Sequence, residues 1–273
     1  MSFRVATWNI NSVRRRIDLV GRFTRDYAPD VLCLQETKCA DGNFPGAAIR
    51  EMGYAHVELR GQSGYHGVAI LSRHPLERVA CTDYAALGHA RHLCVRVRPD
   101  AMEPFLLHNF YVPAGGDIPD ERLNPKFGQK LRFLAEVEKG FAGLKPAEAK
   151  RMLLLGDLNV APLETDVWSH RQLLRVVSHT PVEVEALGRV QASLGWEDVM
   201  RRHVPPHEHL YTWWSYRAKD WRASNRGRRL DHIWATKDFA PDCVRLQLAD
   251  EARDWEAPSD HIPVLAHFRP GLR

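Results

Sequence analysis

Eight short apolar runs, separated by helical or polar stretches, are the feature that most constrains how this chain can fold. They cover residues 3–10, 30–35, 67–72, 92–97, 104–112, 152–157, 230–235 and 263–268. Short runs that are apolar throughout are typical of strands buried on both faces. Apolar spacing predicts helices over residues 13–27 with Ser12 as N-cap, over 126–143, and from Val190 to Arg202. This pattern predicts an α/β fold in which packed sheets are covered by helices.

Length and composition fit one globular unit. The 273 residues contain 44% hydrophobic and 26% charged residues, with no repeat or low-complexity linker, and we expect a single domain over residues 1–273. No apolar run approaches the ~20 residues that span a bilayer. The N-terminus lacks a signal-peptide pattern, and five cysteines without a C-x-x-C pair argue against disulfides or zinc. We therefore expect a cytoplasmic protein without membrane contact. Its net charge of +4 is compatible with a polyanionic partner but does not establish one.

Polar side chains end several of the apolar runs. In the segment RMLLLGDLNVAP (151–162), Asp157 and Asn159 are separated by one residue, so they project to one side of an extended chain. Similar polar residues end or begin other runs: Asn9, Glu36, Asn109, Tyr111, Asp231, Asp260 and His261. Burying such groups is costly unless they are paired or bind a metal. Local turn hydrogen bonds would account for any one of these motifs, but several strand ends that meet at one edge would form a site.

The residue types indicate a particular chemistry. Carboxylates at Glu36, Asp157 and Asp260 and amide oxygens at Asn9 and Asn159 are hard ligands, which favour Mg²⁺ or Mn²⁺ over zinc. A histidine and a tyrosine add proton donors. Phosphodiester hydrolysis needs neutralised phosphate oxygens, an activated water and a stabilised leaving group, and this set of residues offers all three.

Eight segments occur in the order found in one known family: WNINSVR, PDVLCLQETK, GYHGVAILS, NFYVPAGGD, LLLGDLNVAP, YTWWSYRAKDW, NRGRRLDHIWAT and PSDHIPV. In these segments the chain resembles the exonuclease III family of DNA-repair nucleases, within the endonuclease/exonuclease/phosphatase superfamily, from Arg4 to Phe268. Gly-Asp-x-Asn and Ser-Asp-His are shared with superfamily members that are not DNA-repair enzymes. LQETK, TWWSY and NRGRRLD are narrower and favour the DNA-repair branch.

The resemblance implies a four-layer α/β sandwich, in which two mixed β-sheets lie face to face with helices outside. It also implies a divalent metal held by Glu36 with assistance from Asn9. Asp260 would bind a second ion or assist the leaving oxygen, and both one-ion and two-ion mechanisms stay open. The full implied metal-binding set is Asn9, Glu36, Asp157, Asn159, Asp260 and His261.

The resemblance assigns catalytic roles by matched position. Asp157 would orient and deprotonate the attacking water, and Asn159 would steady that water and the developing oxyanion. A neutral His261, held by Asp231, would contact the scissile phosphate. Tyr111 would donate a hydrogen bond to a phosphate oxygen or to the leaving group. A salt bridge to a neighbouring arginine is the alternative for Asp231, and a buried hydroxyl without catalytic function is the alternative for Tyr111.

Three residues are implied to contact DNA. Trp213 would lie beside an unpaired sugar, while its neighbour Trp214 packs in the core. Arg91 matches an arginine near the DNA backbone, although an ordinary solvated arginine is the alternative. Arg228 stands where the family usually has an apolar or aromatic wall for an abasic sugar, and its guanidinium could grip a phosphate instead.

The sequence therefore predicts a Mg²⁺-dependent phosphodiesterase that acts on double-stranded DNA as a monomer. The expected activities are 3′→5′ exonuclease, incision 5′ to abasic sites, and removal of groups that block 3′ ends. One alternative is a small-molecule or lipid phosphoesterase of the same superfamily, which should lack the aromatic segment and the basic loops. The other is a catalytically silent DNA-binding module, which would gain nothing from buried carboxylates.

Overall fold

Two six-stranded β-sheets form the centre of the fold. The structure is a computed structural model that describes residues 2–218 and 220–269, so residues 1, 219 and 270–273 of the expected domain lie outside the described part. The strands are β1 (Phe3–Asn9), β2 (Val31–Gln35), β3 (His56–Arg60), β4 (Val68–Ser72), β5 (Leu76–Ala80), β6 (His92–Val97), β7 (Phe105–Tyr111), β8 (Met152–Asp157), β9 (Glu197–Asp198), β10 (Trp213–Trp214), β11 (Gly227–Arg228), β12 (Asp231–Ala235), β13 (Cys243–Leu248) and β14 (Val264–Phe268). The helices are α1 (Ile17–Tyr27), α2 (Gly46–Glu51), α3 (Pro125–Ala142), α4 (His170–Leu173), α5 (Pro181–Leu194), α6 (Val199–His203) and α7 (Trp221–Ser224). Short 3₁₀ turns cover Asp41–Asn43, Tyr84–Ala86, Glu164–Asp166, Ala240–Asp242 and Asp250–Asp254.

Both large sheets are mixed. The first has the order β13-β14-β1-β2-β4-β3, and the second has the order β5-β6-β7-β8-β12-β9. Strands β1 and β2 are parallel, as are β7 and β8, whereas the other described pairs within these sheets are antiparallel. Strands β10 and β11 form a separate two-stranded ribbon. This arrangement confirms the predicted α/β fold with two mixed sheets and helices outside.

Three apolar layers separate the sheets and helices. Along β8, Leu153 and Leu155 belong to the core between the two sheets. Their neighbours Met152 and Leu154 point the other way, into a core shared with α3 and α5. A third core packs α1 and α2 on the outer face of the first sheet, around Trp8. Because β8 is buried on both faces, its residues are apolar without the usual polar alternation.

The strand directions bring the polar strand ends to one edge. Parallel strands β1 and β2, and likewise β7 and β8, finish at that edge. Strands β12 and β14 run antiparallel to β8 and β1, so they begin there. Gly156 allows the tight approach of β8 to β7, because its φ is +131° and a Cβ at this position would lie 2.0 Å from the carbonyl oxygen of Phe110.

Two helix predictions differ from the structure. Helix α1 begins at Ile17 rather than after Ser12, whose φ is 87° and whose N–H is bonded to the carbonyl of Glu36. The helix predicted from Val190 to Arg202 is wrong: α5 ends at Leu194, Gly195 takes a left-handed φ of 63°, and β9 intervenes before α6. The helix predicted over 126–143 is confirmed as α3, and no described helix is both long and apolar enough to cross a membrane.

Candidate active site

Three neighbouring strands of the second sheet place three polar side chains in one row. Tyr111 at the end of β7 pairs with Asp157 at the end of β8, and Asp157 pairs with Asp231 at the start of β12. Residues paired in register across a sheet project from the same face. The sequence could predict that each strand ends in a polar residue, whereas only the register shows that these side chains are neighbours.

The first sheet contributes Asn9 and Glu36. The amide nitrogen of Asn9 donates to Glu36 Oε1 and to Asp157 Oδ2, each at 2.9 Å. The amide oxygen of Asn9 accepts from the N–H of Asn11 at 3.1 Å. In this arrangement Asn9 ties a carboxylate of one sheet to a carboxylate of the other, and its role as a direct metal ligand stays a prediction.

Glu36 is held as an ionised carboxylate. It lies in the left-handed region with φ of 51°, just beyond β2, and accepts a hydrogen bond of 2.8 Å from the Tyr111 hydroxyl. Lys38 pairs with its other oxygen at 2.8 Å. Burial alone would raise the pKa of Glu36, but Lys38 and the hydrogen bonds from Asn9 and Tyr111 hold that pKa below its usual value. A charged carboxylate at the wall of a cavity is a suitable ligand for a divalent cation.

His261 forms an ion pair with two buried carboxylates. Its Nδ1 lies 2.8 Å from Asp231 Oδ2, and its Nε2 lies 3.7 Å from Asp157 Oδ2. Burial opposes the charged imidazolium, but Asp231 and Asp157 raise the pKa of His261 to about 10. The expectation of a neutral His261 is therefore wrong for this arrangement, because two carboxylates stabilise the charged ring. Arg229 does not pair with Asp231 but with Asp166 and Asp198.

Asp157 has an elevated pKa. Burial raises it to about 7, with a further contribution from Asp231, while His261 lowers it. Each oxygen accepts hydrogen bonds: Oδ1 from the N–H of Asn159 at 3.0 Å, and Oδ2 from the side chains of Asn9 and Asn159. A fixed carboxylate with a pKa near neutrality suits a general base.

Asn159 supports Asp157 from the loop that follows β8. Its φ of 53° is left-handed, and its amide nitrogen donates to Val112 O at 2.9 Å and to Asp157 Oδ2 at 3.1 Å. Both amide hydrogens are thus engaged. In this structure the side chain holds the carboxylate, and its predicted contact with an oxyanion remains a prediction.

Asp260 and Trp213 form the opposite wall. The indole Nε1 of Trp213 donates to Asp260 Oδ2 at 2.9 Å, and Asn11 donates to Asp260 Oδ1 at 3.2 Å. Trp213 is half-buried and borders the cavity, while Trp214 is buried, as predicted for this aromatic pair.

The three residues predicted to contact DNA occupy different environments. Trp213 and Arg228 line the cavity, but Arg91 does not. Arg91 is only 7% exposed, lies 4.6 Å from the Tyr111 ring centroid, and donates to Tyr111 O at 3.2 Å. The alternative of a solvated Arg91 is wrong, because the side chain packs behind Tyr111. Its contact with the DNA backbone stays a prediction.

One cavity of about 570 Å³ joins these groups. Its acidic end is lined by Glu36, Asp157, Asp260 and His261, beside Tyr111 and Asn159. Around that end, four carboxylates (Glu36, Asp157, Asp231 and Asp260) face two basic side chains, Lys38 and His261. The surplus of negative charge and the oxygen-rich donor set fit a divalent cation. The cavity wall is also open enough to admit a phosphate-bearing substrate.

A fully buried ion pair supports the site and was missed at the sequence level. Lys130 on α3 pairs with Glu183 on α5, and both side chains are 0% exposed. The ammonium of Lys130 also donates to Asn159 O at 2.7 Å and to Ala114 O at 3.3 Å. The sequence did hold a signal, because Lys130 falls on the same apolar face of α3 as Phe127 and Leu134.

We expect Lys130→Met to lower the free energy of unfolding by about 3–5 kcal/mol, because it leaves the Glu183 carboxylate buried without its partner. Urea denaturation measures the loss. The double variant Lys130→Met/Glu183→Gln should recover part of it, since no unpaired charge then remains buried. Arg189→Gln is the matched control, because Arg189 pairs with exposed Glu185 on the same helix and should cost under about 1 kcal/mol. Equal losses for Lys130→Met and Arg189→Gln would contradict the structural role.

Comparison with known proteins gives consistent results. Residues 6–261 match the Endonuclease/Exonuclease/phosphatase family. Exodeoxyribonuclease III of Haemophilus influenzae is 30% identical over 272 residues, which cover 96% of this chain and 98% of that protein. A solved AP endonuclease of Archaeoglobus fulgidus superposes with a TM-score of 0.86 at 32% identity, covering 97% of this chain and 99% of the other. The 3′ phosphatase NExo of Neisseria, solved with a product DNA hairpin, gives a TM-score of 0.86 at 29% identity, covering 98% and 99%.

Proposed function

Because this chain belongs to the Endonuclease/Exonuclease/phosphatase family and is a hydrolytic nuclease of the exodeoxyribonuclease III type, we propose that it is a Mg²⁺-dependent DNA phosphodiesterase. Its substrates are double-stranded DNA with recessed or blocked 3′ ends and double-stranded DNA with abasic sites. Its activities are 3′→5′ exonuclease, incision 5′ to abasic sites and removal of 3′ blocking groups. It works as a monomer in the cytoplasm.

The observation that carries this proposal is the paired Asp157 and His261 at the acidic end of the cavity. The pKa of Asp157 is raised to about 7 and that of His261 to about 10. At neutral pH one group can accept a proton while the other stays cationic. Two neighbouring groups that titrate at different pH can serve as proton acceptor and hydrogen-bond donor at one bond.

The chain's own residues divide the work of hydrolysis. Asp157 accepts a proton from the attacking water. His261 is fixed through Nδ1 by Asp231, and its Nε2 lies 3.7 Å from Asp157, too far for a short hydrogen bond. The Nε2–H is therefore available to donate to a phosphate oxygen. Burial and the nearby Glu36 carboxylate raise the pKa of the Tyr111 hydroxyl, which keeps its proton available for a phosphate oxygen or the leaving oxygen.

A divalent cation fits the same end of the cavity. Glu36 would be its principal ligand, and Asp157, Asn159 and Asp260 would complete the candidate set for one or two ions. The predicted ligand role of His261 does not fit a protonated ring, which has no free lone pair. A bound Mg²⁺ would supply positive charge that offsets the negative charge of the phosphate oxygens. Mn²⁺ has a similar preference for oxygen ligands and should substitute.

The two alternatives predict other outcomes. A small-molecule or lipid phosphoesterase would hydrolyse inositol polyphosphates or sphingomyelin faster than DNA. A silent binding module would bind DNA without product. The decisive experiment incubates the protein with recessed duplex DNA, an inositol polyphosphate and sphingomyelin vesicles, each with Mg²⁺. Cleavage of DNA alone supports the proposal, and a preference for either other substrate would replace it.

We expect His261→Ala to reduce turnover on DNA by about 10²–10³, the scale for losing one donor to a developing oxyanion. Asp231→Ala should cost a comparable factor, because it removes the group that orients the imidazole. The double variant should then be no slower than His261→Ala alone. Single-turnover rates measure all three, with His56→Ala as a control remote from the cavity. Strictly multiplicative losses in the double variant would show that the two residues act independently.

A further inference from the structure

We propose that Arg228, which lines the same cavity as the catalytic carboxylates, forms an anion subsite. It receives a carboxylate or phosphate carried by the fragment on the 3′ side of the scissile phosphate. The subsite favours strand ends whose departing fragment carries an anion over strand ends whose departing fragment carries none. This inference rests on the proposed DNA phosphodiesterase activity and specifies its substrate class.

The position of Arg228 follows from the two-stranded ribbon. Arg228 on β11 lies opposite Trp213 on β10. Its guanidinium carbon lies 5.3 Å from the centroid of the Trp213 ring, whose indole nitrogen is bonded to Asp260. Arg228 is therefore one side chain away from the acidic end, within the same cavity.

The charge of Arg228 has no counter-ion in the part of the chain that the structure describes. Its Nη1 donates to the neutral acceptors Val177 O at 3.0 Å and Ser178 Oγ at 2.8 Å, and its buried Nε has no partner among the described residues. The adjacent Arg229 contrasts with it, since that guanidinium is paired with two aspartates. A half-buried cation without a carboxylate is costly, and an anionic ligand would offset that cost.

A second arginine extends the positive surface. The guanidinium carbon of Arg226 lies 4.7 Å from the centroid of the Trp168 ring, and both residues line the cavity. Asp117 also lines the cavity, and Glu183 lies near Arg228 but is paired with Lys130. The cavity thus contains two guanidinium groups, each packed on an aromatic ring, a combination that suits a short acidic fragment on an ester linkage.

The reaction places such a fragment in this subsite. The water oxygen bonds to phosphorus while the bond from phosphorus to the 3′ oxygen of the upstream strand breaks. One water proton goes to Asp157, the departing 3′ oxygen takes a proton, and the phosphate leaves with whatever its other ester carries. For an oxidised strand end that group is glycolate, whose carboxylate can reach Arg228. For a 3′-phosphorylated terminal nucleotide that group is the nucleoside, and its 3′-phosphate is the anion that Arg228 would bind.

Four duplexes that differ only at the cleaved position test the inference. They carry a 3′-phosphoglycolate, its match without the carboxylate (a 3′-phosphoethyl ester), a terminal nucleotide with a 3′-phosphate, and a terminal nucleotide with a 3′-hydroxyl. For the 3′-phosphate duplex, release of the whole terminal nucleotide is scored separately from loss of the phosphate alone. The variants are Arg228→Gln, which removes the charge, and Arg228→Lys, which keeps it. Arg25→Gln on the exposed face of α1 controls for general loss of positive charge.

We expect Arg228→Gln to reduce kcat/KM on the two acidic ends by about 10- to 100-fold relative to the 3′-hydroxyl and 3′-phosphoethyl duplexes. Arg228→Lys should retain part of that preference. Binding of the acidic and hydroxyl ends in EDTA, measured by fluorescence anisotropy, should show the same selective loss without turnover, which separates a binding role from misfolding. A loss confined to the phosphoglycolate identifies a carboxylate ligand, and a loss confined to the 3′-phosphate identifies a phosphate ligand.

Equal losses on all four duplexes, or no loss on either acidic end, would overturn the subsite. If the unmodified protein cleaved none of the four duplexes, the proposed phosphodiesterase function would be overturned, and the subsite with it.

Discussion

Asp157→Asn should lower single-turnover cleavage of DNA by about 10²–10⁴, the contribution expected of a positioned general base, while DNA binding survives. An amide has nearly the same size as the carboxylate but cannot take the proton of the attacking water. Removal of a negative charge beside the phosphate should, if anything, tighten binding. Rates at saturating Mg²⁺ and fluorescence anisotropy with a duplex measure the two effects separately.

The structure adds one detail to this prediction. Every oxygen of Asp157 accepts a hydrogen bond from an N–H group, so the new amide NH₂ must face a donor. A modest loss of thermal stability should therefore accompany the loss of turnover. Asp117→Asn is the matched control, because Asp117 lines the same cavity without contact to Asp157. Hydrolysis by Asp157→Asn at the rate of the unmodified protein would refute the general-base role.

Glu36→Gln should reduce turnover by about 10³ or more, because it removes the principal carboxylate for a divalent cation that supplies several kcal/mol of charge stabilisation. The new side-chain NH₂ group would also face a hydrogen-bond donor, because Lys38, Asn9 and Tyr111 all donate to the Glu36 carboxylate. A Mg²⁺ titration of activity measures the effect. Higher Mg²⁺ should restore only part of the rate.

The control for Glu36→Gln is Glu58→Gln. Glu58 lies on β3 of the same sheet, pairs with Arg78 and does not line the cavity. Glu58→Gln should leave both the rate and its Mg²⁺ dependence unchanged. If Glu36→Gln gave the same Mg²⁺ midpoint and turnover as this control, Glu36 would not be the metal ligand.

The central strands could be predicted from the sequence because they are buried on both faces. Their short length and their content of β-branched, leucine and aromatic residues favour strands over helices. The edge strands β5 and β13 were missed, since their outward residues are exposed and the apolar pattern is interrupted. The third helix was misplaced: the prediction began at Val190, nine residues after α5 starts, and continued through β9 to Arg202. Gly195 is the local signal that ends α5, and Glu197 and Asp198 fit a helix as well as a short strand.

The polar residues of the site could be nominated from their places at strand ends, but their partners could not. Strand register decides that Asp231 meets His261 rather than Arg229, and that pairing in turn makes His261 cationic. Burial decides that Arg91 packs behind Tyr111 instead of facing solvent. These outcomes depend on contacts between segments that are distant in sequence. Asp231 and His261, for example, are 30 residues apart.

Cleavage of a duplex with a single abasic-site analogue tests metal-dependent DNA hydrolysis most directly. The strand is labelled at its 5′ end and incubated with the protein in Mg²⁺ or in excess EDTA. The products are then sized on a denaturing gel. In Mg²⁺ we expect one shortened product that ends in a 3′-hydroxyl at the nucleotide before the abasic position. Stepwise shortening from that end should follow. In EDTA we expect an intact strand. Full cleavage in EDTA, or an intact strand in Mg²⁺, would contradict metal-dependent DNA hydrolysis.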